Sequence, residues 1–228
     1  MTIQLVVFDI DDTLYLERAY VRSGFLAVGE WVRAKLGIEG FSDVAWRLFE
    51  EGLRNVIFDR TLEILGIPPS ECSVPTLVDI YRRHRPTIAL TKDSREALDH
   101  LRSQVPIAIV TDGPLPSQRA KVQALGLRHY SNDIILTSEL GPSYEKPNPY
   151  PFALLQDRYN APGNTCVYVA DNPLKDFAGP KSLGWRTIRV RRDGSLHHSV
   201  STPEYVDIEL PNLSELQRHP ITSIFTRR

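Results

Sequence analysis

The sequence predicts an α/β protein that combines a doubly wound parallel sheet with an inserted α-helical domain. Five short apolar runs alternate with helical patterns, which is typical of parallel strands joined by right-handed crossovers. The alternation is interrupted once, after the first strand, by about seventy residues whose apolar positions recur at helical spacing. We therefore predict a Rossmann-like sheet domain formed by residues 1–15 and 86–228 and a helical cap domain over residues 16–85.

The first strand is the apolar run Val6-Val7-Phe8, and an acidic segment follows it directly. Its residues are β-branched or aromatic and lack a period of two, so the strand is expected to be buried on both faces. Asp9 and Asp11 are two residues apart and would share one face of an extended chain. Two carboxylates about 4 Å apart repel by roughly 4 kcal/mol at an effective dielectric of about 20. A cation or a shared proton is therefore expected at this position.

The helical domain is predicted to contain four helices. The first ends at the stop signal Gly37, and Ser42 and Asp43 are expected to cap the second. The third ends before the breaker sequence at 66–69, and the fourth covers Thr76 to Arg83. No run in this block has the pattern of a strand.

From Pro86 onward the alternation of strands and helices resumes. Further strands are predicted at 106–111, 133–137, 166–170 and 186–190. Helices are predicted at 93–101, 117–125, 152–159 and 174–183. A polar loop at 192–203 and a last short strand and helix within 205–216 complete the chain.

Composition and charge exclude several function classes. The 228 residues are 42% hydrophobic and 24% charged, which is ordinary for a globular protein. A net charge of −1 supplies none of the basic field that binding to a nucleic-acid polymer needs. No apolar run approaches the ~20 residues of a membrane span, and the amino terminus has no signal-like pattern. We expect a cytoplasmic protein without a membrane partner, in which Cys72 and Cys166 are reduced thiols.

Polar residues collect after the carboxyl ends of the predicted strands, where open α/β sheets usually bind ligands. In chain order they are Asp9, Asp11, Thr13, Thr111, Asp112, Gly113, Lys146, Asp171 and Asp176. The series Asp-x-Asp-x-Thr, Thr-Asp-Gly, Lys-Pro and a final pair of aspartates resembles the four motifs of the haloacid dehalogenase superfamily, and specifically its phosphatases. The resemblance covers nearly the whole chain. The helical block resembles the cap of the subfamily that includes phosphoglycolate phosphatases, pyrimidine 5'-nucleotidases and phosphomutases.

This resemblance implies a Mg²⁺-dependent phosphatase that hydrolyses a small phosphomonoester through an aspartyl-phosphate intermediate. Asp9 would be the nucleophile, and Asp11 would be the general acid and base. Asp9 is then expected to be ionised while Asp11 starts protonated. Lys146 would place a fixed positive charge between the phosphate and Asp9.

The resemblance also implies the ligands of the metal and of the phosphate. Asp9, the backbone carbonyl of Asp11 and Asp171 would hold the metal, and oxygen ligands beside phosphate favour Mg²⁺. The Thr111 hydroxyl would hold the phosphate, together with the backbone N–H groups of Asp112 and Gly113.

Two further motif residues are expected to support the site. Asp176 would orient Lys146 or a metal-bound water rather than bind the metal itself. Thr13 would support the general acid, although a turn or a helix cap is an equal alternative for this residue.

Substrate specificity is expected to come from the helical domain. Arg54, Asn55, Phe58 and Arg60 lie at a junction between two predicted helices and would read a small phosphorylated metabolite. A nucleotide, a sugar phosphate and phosphoglycolate all remain open as the substrate, and the sequence predicts no oligomeric state. A phosphomutase, or a catalytically idle binding or regulatory protein on the same fold, is the alternative to a phosphatase. Dehalogenase chemistry is disfavoured by Asp11, because displacing halide from carbon needs no acid at that position.

Overall fold

The computed structural model describes residues 2–218 and 221–224, and the chain divides into two compact units. One unit comprises the residues up to Glu17 and those from Ala89 onward, and the other is Arg18–Ile88. The boundaries expected from the sequence lie within a few residues of this division. Among the described helices, none combines the length and the apolar character that crossing a membrane requires.

The first unit contains a six-stranded parallel sheet, which confirms the predicted fold class. Its strands are β1 (Leu5–Phe8), β2 (Ile107–Thr111), β3 (Ile134–Leu136), β4 (Cys166–Ala170), β5 (Arg186–Val190) and β6 (Ile208–Leu210). Their spatial order is β3-β2-β1-β4-β5-β6. Strand order therefore reverses at β1, and the crevice beyond its carboxyl end is the place where such sheets bind ligands.

β1 is the central strand, and all of its residues are buried. Val7 pairs in register with Ala108 of β2 on one side and with Tyr168 of β4 on the other. An apolar strand without alternation suits this position because helices cover both faces of a doubly wound sheet. Phe152 packs edge-to-face on Tyr168 and on Trp185 beneath this sheet.

The helices that follow Ala89 in the chain belong to the same unit as the sheet. They are α5 (Lys92–Leu101), α6 (Leu115–Ala124), α7 (Thr137–Leu140), α8 (Tyr150–Tyr159), α9 (Ala178–Ser182), α10 (Glu215–Arg218) and α11 (Ile221–Ile224). The helix predicted at 174–183 is shorter than expected. Residues 172–176 form a turn instead, in which the Asn172 N–H donates to Asp176 Oδ2 at 2.8 Å and the Asp176 N–H donates to the Asn172 carbonyl at 3.1 Å.

The second unit is helical and has an aromatic interior. Its helices are α1, which begins one residue before the unit (Glu17–Leu36), α2 (Phe41–Glu50), α3 (Ile57–Ile64) and α4 (Val74–Arg83). Phe25 contacts the rings of Phe49, Phe58 and Tyr81. The expected caps of the second helix are wrong: α2 begins at Phe41 after Gly40, whose φ of 82° is left-handed, so Ser42 and Asp43 lie inside the helix.

Candidate active site

The loop after β3 brings Lys146 to the carboxyl end of β1. Lys146 Nζ donates to Asp9 Oδ1 at 2.7 Å, lies 2.7 Å from Asp176 Oδ1 and donates to Tyr168 Oη at 3.0 Å. Burial lowers the pKa of Lys146, but Asp176 and Asp9 outweigh it and hold that pKa well above its usual range. Lys146 is therefore a buried ammonium group between two carboxylates, which is the geometry expected if Asp176 orients this lysine.

Asp9, Asp171 and Asp176 form a buried carboxylate cluster in which one oxygen of each lies within 4.8 Å of the others. Asp171 Oδ2 is buried and has no hydrogen-bond partner among the described residues. Arg189 Nε donates to the Asp171 backbone carbonyl at 3.0 Å and so holds this segment in place. Buried polar atoms are rarely left without a partner, and hard divalent cations prefer carboxylate oxygens. The cluster therefore fits a hard divalent cation.

Burial raises the pKa of Asp9 to about 7, with Lys146 opposing the shift and Asp176 and Asp11 adding to it. Burial likewise raises the pKa of Asp171 well above its usual range, and the charges of Asp176 and Asp9 add to the effect. A bound cation would offset the free-energy cost of burying these two negative charges. Both shifts therefore have the direction expected of a site built for a positive ion.

Asp11 lies among donors that the sequence analysis missed. Lys121 Nζ is 2.7 Å from both Asp11 Oδ1 and Asp11 Oδ2, Tyr15 Oη donates to Oδ1 at 2.5 Å, and Gln118 Nε2 donates to Oδ2 at 3.1 Å. Burial would raise the pKa of Asp11, but Lys121, Tyr15 and Gln118 outweigh it and lower that pKa. This lowered pKa is the opposite of the direction that a protonated Asp11 would need, and the expectation that Asp11 starts protonated stays a prediction.

For Gln118 and Lys121, the spacing along their helix is the feature of the sequence that could have indicated this role. Gln118 and Lys121 are three residues apart in the helix that follows the Thr-Asp-Gly motif, so they occupy one helical face. A helix packed on a sheet normally buries apolar residues on that face. Two long polar side chains there indicate a polar target.

At the carboxyl end of β2, the Thr111 and Asp112 side chains have different hydrogen-bond environments. Thr111 Oγ1 is buried and has no hydrogen-bond partner among the described residues, which leaves it available to a ligand. The Asp112 carboxylate accepts hydrogen bonds from Thr137 Oγ1 at 2.8 Å, Lys175 Nζ at 2.9 Å and the Lys146 N–H at 3.2 Å. Asp112 therefore ties three segments together through its side chain. The binding of phosphate by its backbone N–H stays a prediction.

Gly113 is required for a close approach within the site. Its φ is +133°, and a Cβ at this position would lie 2.7 Å from Gln118 Nε2. That nitrogen donates to the Asp112 carbonyl at 2.6 Å as well as to Asp11. A side chain at Gly113 would therefore displace Gln118 from the site.

Thr13 and Asp12 have different environments at the end of the acidic segment. The Thr13 hydroxyl is buried and makes no hydrogen bond with the described residues, so it is not a helix cap. Asp12 accepts from the N–H groups of Glu17 at 2.8 Å and Leu196 at 2.7 Å. Asp12 thus serves the first turn of α1 and the 192–203 loop.

The four residues expected to read the substrate all lie in the helical unit. Arg54 stacks over the Phe49 ring at 4.1 Å and donates to the Phe49 carbonyl at 2.8 Å. Asn55 is exposed, and Arg60 forms an exposed ion pair with Glu63.

Phe58 is buried in the aromatic interior of that unit, against Phe25, Phe41 and Tyr81. These contacts show that the Phe58 ring stabilises the helical unit, and its expected contact with substrate stays a prediction.

The model of the haloacid dehalogenase-like hydrolase family matches residues 3–184. The chain belongs to this hydrolase family. The hydrolase is 29% identical over 201 residues to glyceraldehyde 3-phosphate phosphatase of Methanopyrus kandleri, a match that covers 83% of this chain and 84% of the relative. It is 30% identical over 200 residues to ribulose-1,5-bisphosphate 5-phosphatase of Halopiger xanaduensis, with coverage of 80% and 82%.

Among solved structures, 2-haloacid dehalogenase from Pseudomonas syringae pv. Tomato DC3000 shares the fold of the hydrolase. The two superpose with a TM-score of 0.62 at 25% sequence identity, over 94% of this chain and 96% of the other. The family therefore includes proteins named for two different reactions, at phosphorus and at carbon. The residues of the site have to decide between them.

Proposed function

We propose that this hydrolase is a Mg²⁺-dependent phosphatase of small phosphomonoesters that works through an aspartyl-phosphate on Asp9. The observation that carries the proposal is the geometry around Asp9. Its carboxylate is 2.7 Å from the Lys146 ammonium and belongs to a carboxylate cluster suited to a divalent cation. Positive charge concentrated at one carboxylate suits attack on a dianionic phosphate ester, whose own charge would otherwise repel the nucleophile.

An Asp9 oxygen would attack phosphorus while the bond from phosphorus to the ester oxygen breaks. Asp11 would give a proton to the departing oxygen and later take one from the water that hydrolyses the aspartyl-phosphate. Lys121 lowers the pKa of Asp11 before substrate is bound, so the proton that Asp11 gives up would come from solvent once the negative charge of the bound phosphate raises that pKa. Lys146 would hold a phosphoryl oxygen beside Asp9, and the buried Thr111 hydroxyl would donate to another.

The metal would be held by Asp9, Asp171 and the backbone carbonyl of Asp11. When bound, Mg²⁺ would neutralise charge on the phosphoryl group. Asp176, through its contact with Lys146, would keep that lysine from turning away from Asp9.

Asp11 favours a phosphatase over a dehalogenase. Displacement of halide from carbon needs no proton donor for the leaving group, yet this chain surrounds Asp11 with three side chains that hold it. The names of the two relatives above, both phosphatases of phosphorylated sugars or trioses, support a small phosphorylated metabolite as the substrate class. A phosphomutase would use the same residues and return the phosphoryl group to substrate.

The experiment is release of inorganic phosphate from a panel of sugar phosphates, nucleotides and phosphoglycolate, with Mg²⁺ and with a chelator. We expect turnover with Mg²⁺ that the chelator abolishes and that Asp9→Asn reduces by at least about 10³-fold. Asp193→Asn is the matched control, because Asp193 is fully exposed on the 192–203 loop. Turnover that survives the chelator or the loss of Asp9 would contradict the mechanism. Phosphorylated product without free phosphate would show a phosphomutase.

A further inference from the structure

Helix α6 has a polar buried face. Its buried residues are Ser117, Gln118, Lys121 and Val122. A helix that packs on a sheet is normally held there by apolar side chains, and an interior lysine costs free energy unless it is paired. Lys121 is only 3% exposed, and Gln118 is 2% exposed. Packing alone does not account for these two residues, because leucine or methionine would fill the same space without desolvating an ammonium group.

Both side chains converge on one carboxylate. Lys121 Nζ lies at equal distances of 2.7 Å from the two Asp11 oxygens, and Gln118 Nε2 donates to Oδ2 at 3.1 Å. Gln118 Nε2 also donates to the Asp112 carbonyl at 2.6 Å, which links Asp11 to the loop after β2. Tyr15, which contacts Oδ1, follows Asp11 by only four residues, so its contact is local. α6 therefore supplies the long-range contacts that relate Asp11 to the rest of the site.

The terminal torsion of an aspartate is broad, so a carboxylate without fixed donors samples many orientations. Two donors on one oxygen and two on the other fix the plane of the Asp11 carboxylate, and a misplacement of about 1 Å in such a group can cost about 10²-fold in rate. We propose that Lys121 and Gln118 are positioning residues that aim the Asp11 carboxyl group at the oxygen of the leaving group. This proposal rests on the proposed function.

The consequence is a dependence on the leaving group. An alkyl phosphate departs as an alkoxide and needs a proton from Asp11, whereas an activated aryl phosphate departs as a stabilised phenolate and hardly needs one. Loss of positioning should therefore slow phosphoryl transfer to Asp9, which kcat/KM reports, far more for alkyl esters than for activated aryl esters. The later hydrolysis of the aspartyl-phosphate is common to all esters. A role confined to folding or to phosphate binding would affect all esters equally.

The experiment measures kcat and KM of the full chain with Mg²⁺ for an alkyl monophosphate, 4-nitrophenyl phosphate and 2,4-dinitrophenyl phosphate. For Lys121→Met we expect kcat/KM to fall about 30-fold or more with the alkyl ester and less than about 3-fold with the dinitrophenyl ester. Gln118→Leu should show the same dependence on the leaving group with a smaller loss of rate. This variant tests the proposal if Lys121→Met does not fold. Lys181→Met is the matched control, because Lys181 makes an equivalent two-oxygen contact with Asp207 at 3.0 and 3.1 Å elsewhere in the same unit.

A graded loss of kcat/KM that follows the leaving group and is absent from the Lys181 variant supports the proposal. An equal loss for all three esters, no loss, or faster turnover of the alkyl ester overturns it. Wild-type turnover and its dependence on Asp9 report separately on the proposed function. If the wild type hydrolyses none of the esters, both proposals fail.

Discussion

Replacement of Lys146 by methionine should strongly destabilise the sheet unit in the absence of a divalent cation. Methionine keeps most of the volume of the side chain, so the change removes the ammonium group with little loss of packing. In the wild type this group lies 2.7 Å from Asp9 Oδ1 and 2.7 Å from Asp176 Oδ1. The variant leaves two buried carboxylates next to each other and next to Asp171 without that charge.

The magnitude follows from the burial of all three partners. Lys146, Asp9 and Asp176 have side chains that are 1%, 7% and 0% exposed. Breaking a buried ion pair by removing one partner costs about 3–5 kcal/mol. At about 2–4 °C per kcal/mol for a chain of this size, the melting temperature should fall by about 10 °C. The destabilisation by Lys146→Met should be smaller at pH 5, because Asp9 can then take up a proton. Mg²⁺ should partly reverse it.

The assay is urea unfolding of the wild type, Lys146→Met, Asp176→Asn and the double variant, with chelator at pH 7.5. The double variant should be less destabilised than the sum of the single variants, because each single change leaves a partner uncompensated. Lys181→Met provides the control for a less buried lysine–aspartate pair. A change below about 1 kcal/mol for Lys146→Met, or strict additivity with Asp176→Asn, would refute this account of the cluster.

Two further predictions concern pH and a close contact. The pKa of Asp9 is raised to about 7 in the folded protein from 3.8, so the contribution of Asp9 to stability is complete at low pH and is lost as the pH rises through about 7. The free energy of unfolding of the metal-free protein should therefore fall between pH 4 and pH 8, by about 4 kcal/mol from Asp9 alone. Mg²⁺ should stabilise the protein more at pH 8 than at pH 5. Denaturant titrations that show the opposite trend would contradict the cation site. Gly179→Ala would place a Cβ 2.5 Å from the Pro147 carbonyl, which belongs to backbone and cannot turn aside. We expect urea unfolding to show a destabilisation of about 1–3 kcal/mol. Turnover should also fall, because Pro147 directly follows Lys146. An unchanged urea midpoint would show that the loop containing Pro147 can shift without loss of stability.

The location of the candidate site could be predicted from local patterns. Apolar runs with acidic ends identify β1 and β4, and parallel pairing brings the ends of such strands to one edge. Asp9, Lys146, Asp171 and Asp176 therefore lie together in the structure, as expected from the order of the motifs. The turn at 172–176 was missed because its closure depends on one side chain, Asp176, bonding to the Asn172 N–H.

Long-range partners could not be predicted in the same way. Lys121 contacts Asp11 across 110 positions of sequence, and its spacing on α6 does not say which group it meets. Phe58 was expected to contact substrate because it lies near a helix junction, but its burial depends on how four helices pack their aromatic rings. In both cases the contact depends on where a helical side chain points. That direction follows from how the helix packs, which many residues distant in sequence determine.

By itself, then, the sequence determined the strands, their parallel arrangement, the separate helical unit and the edge at which the carboxylates meet, because hydrophobic periodicity and chain connectivity are local properties. Only the tertiary structure decided which groups surround the two carboxylates of the acidic segment. Burial raises the pKa of Asp9, whereas a lysine delivered by α6 lowers that of Asp11. The burial of Asp9 and the 2.7 Å contact between Lys121 and Asp11 both depend on residues far apart in the chain, and the packing of the whole fold sets them.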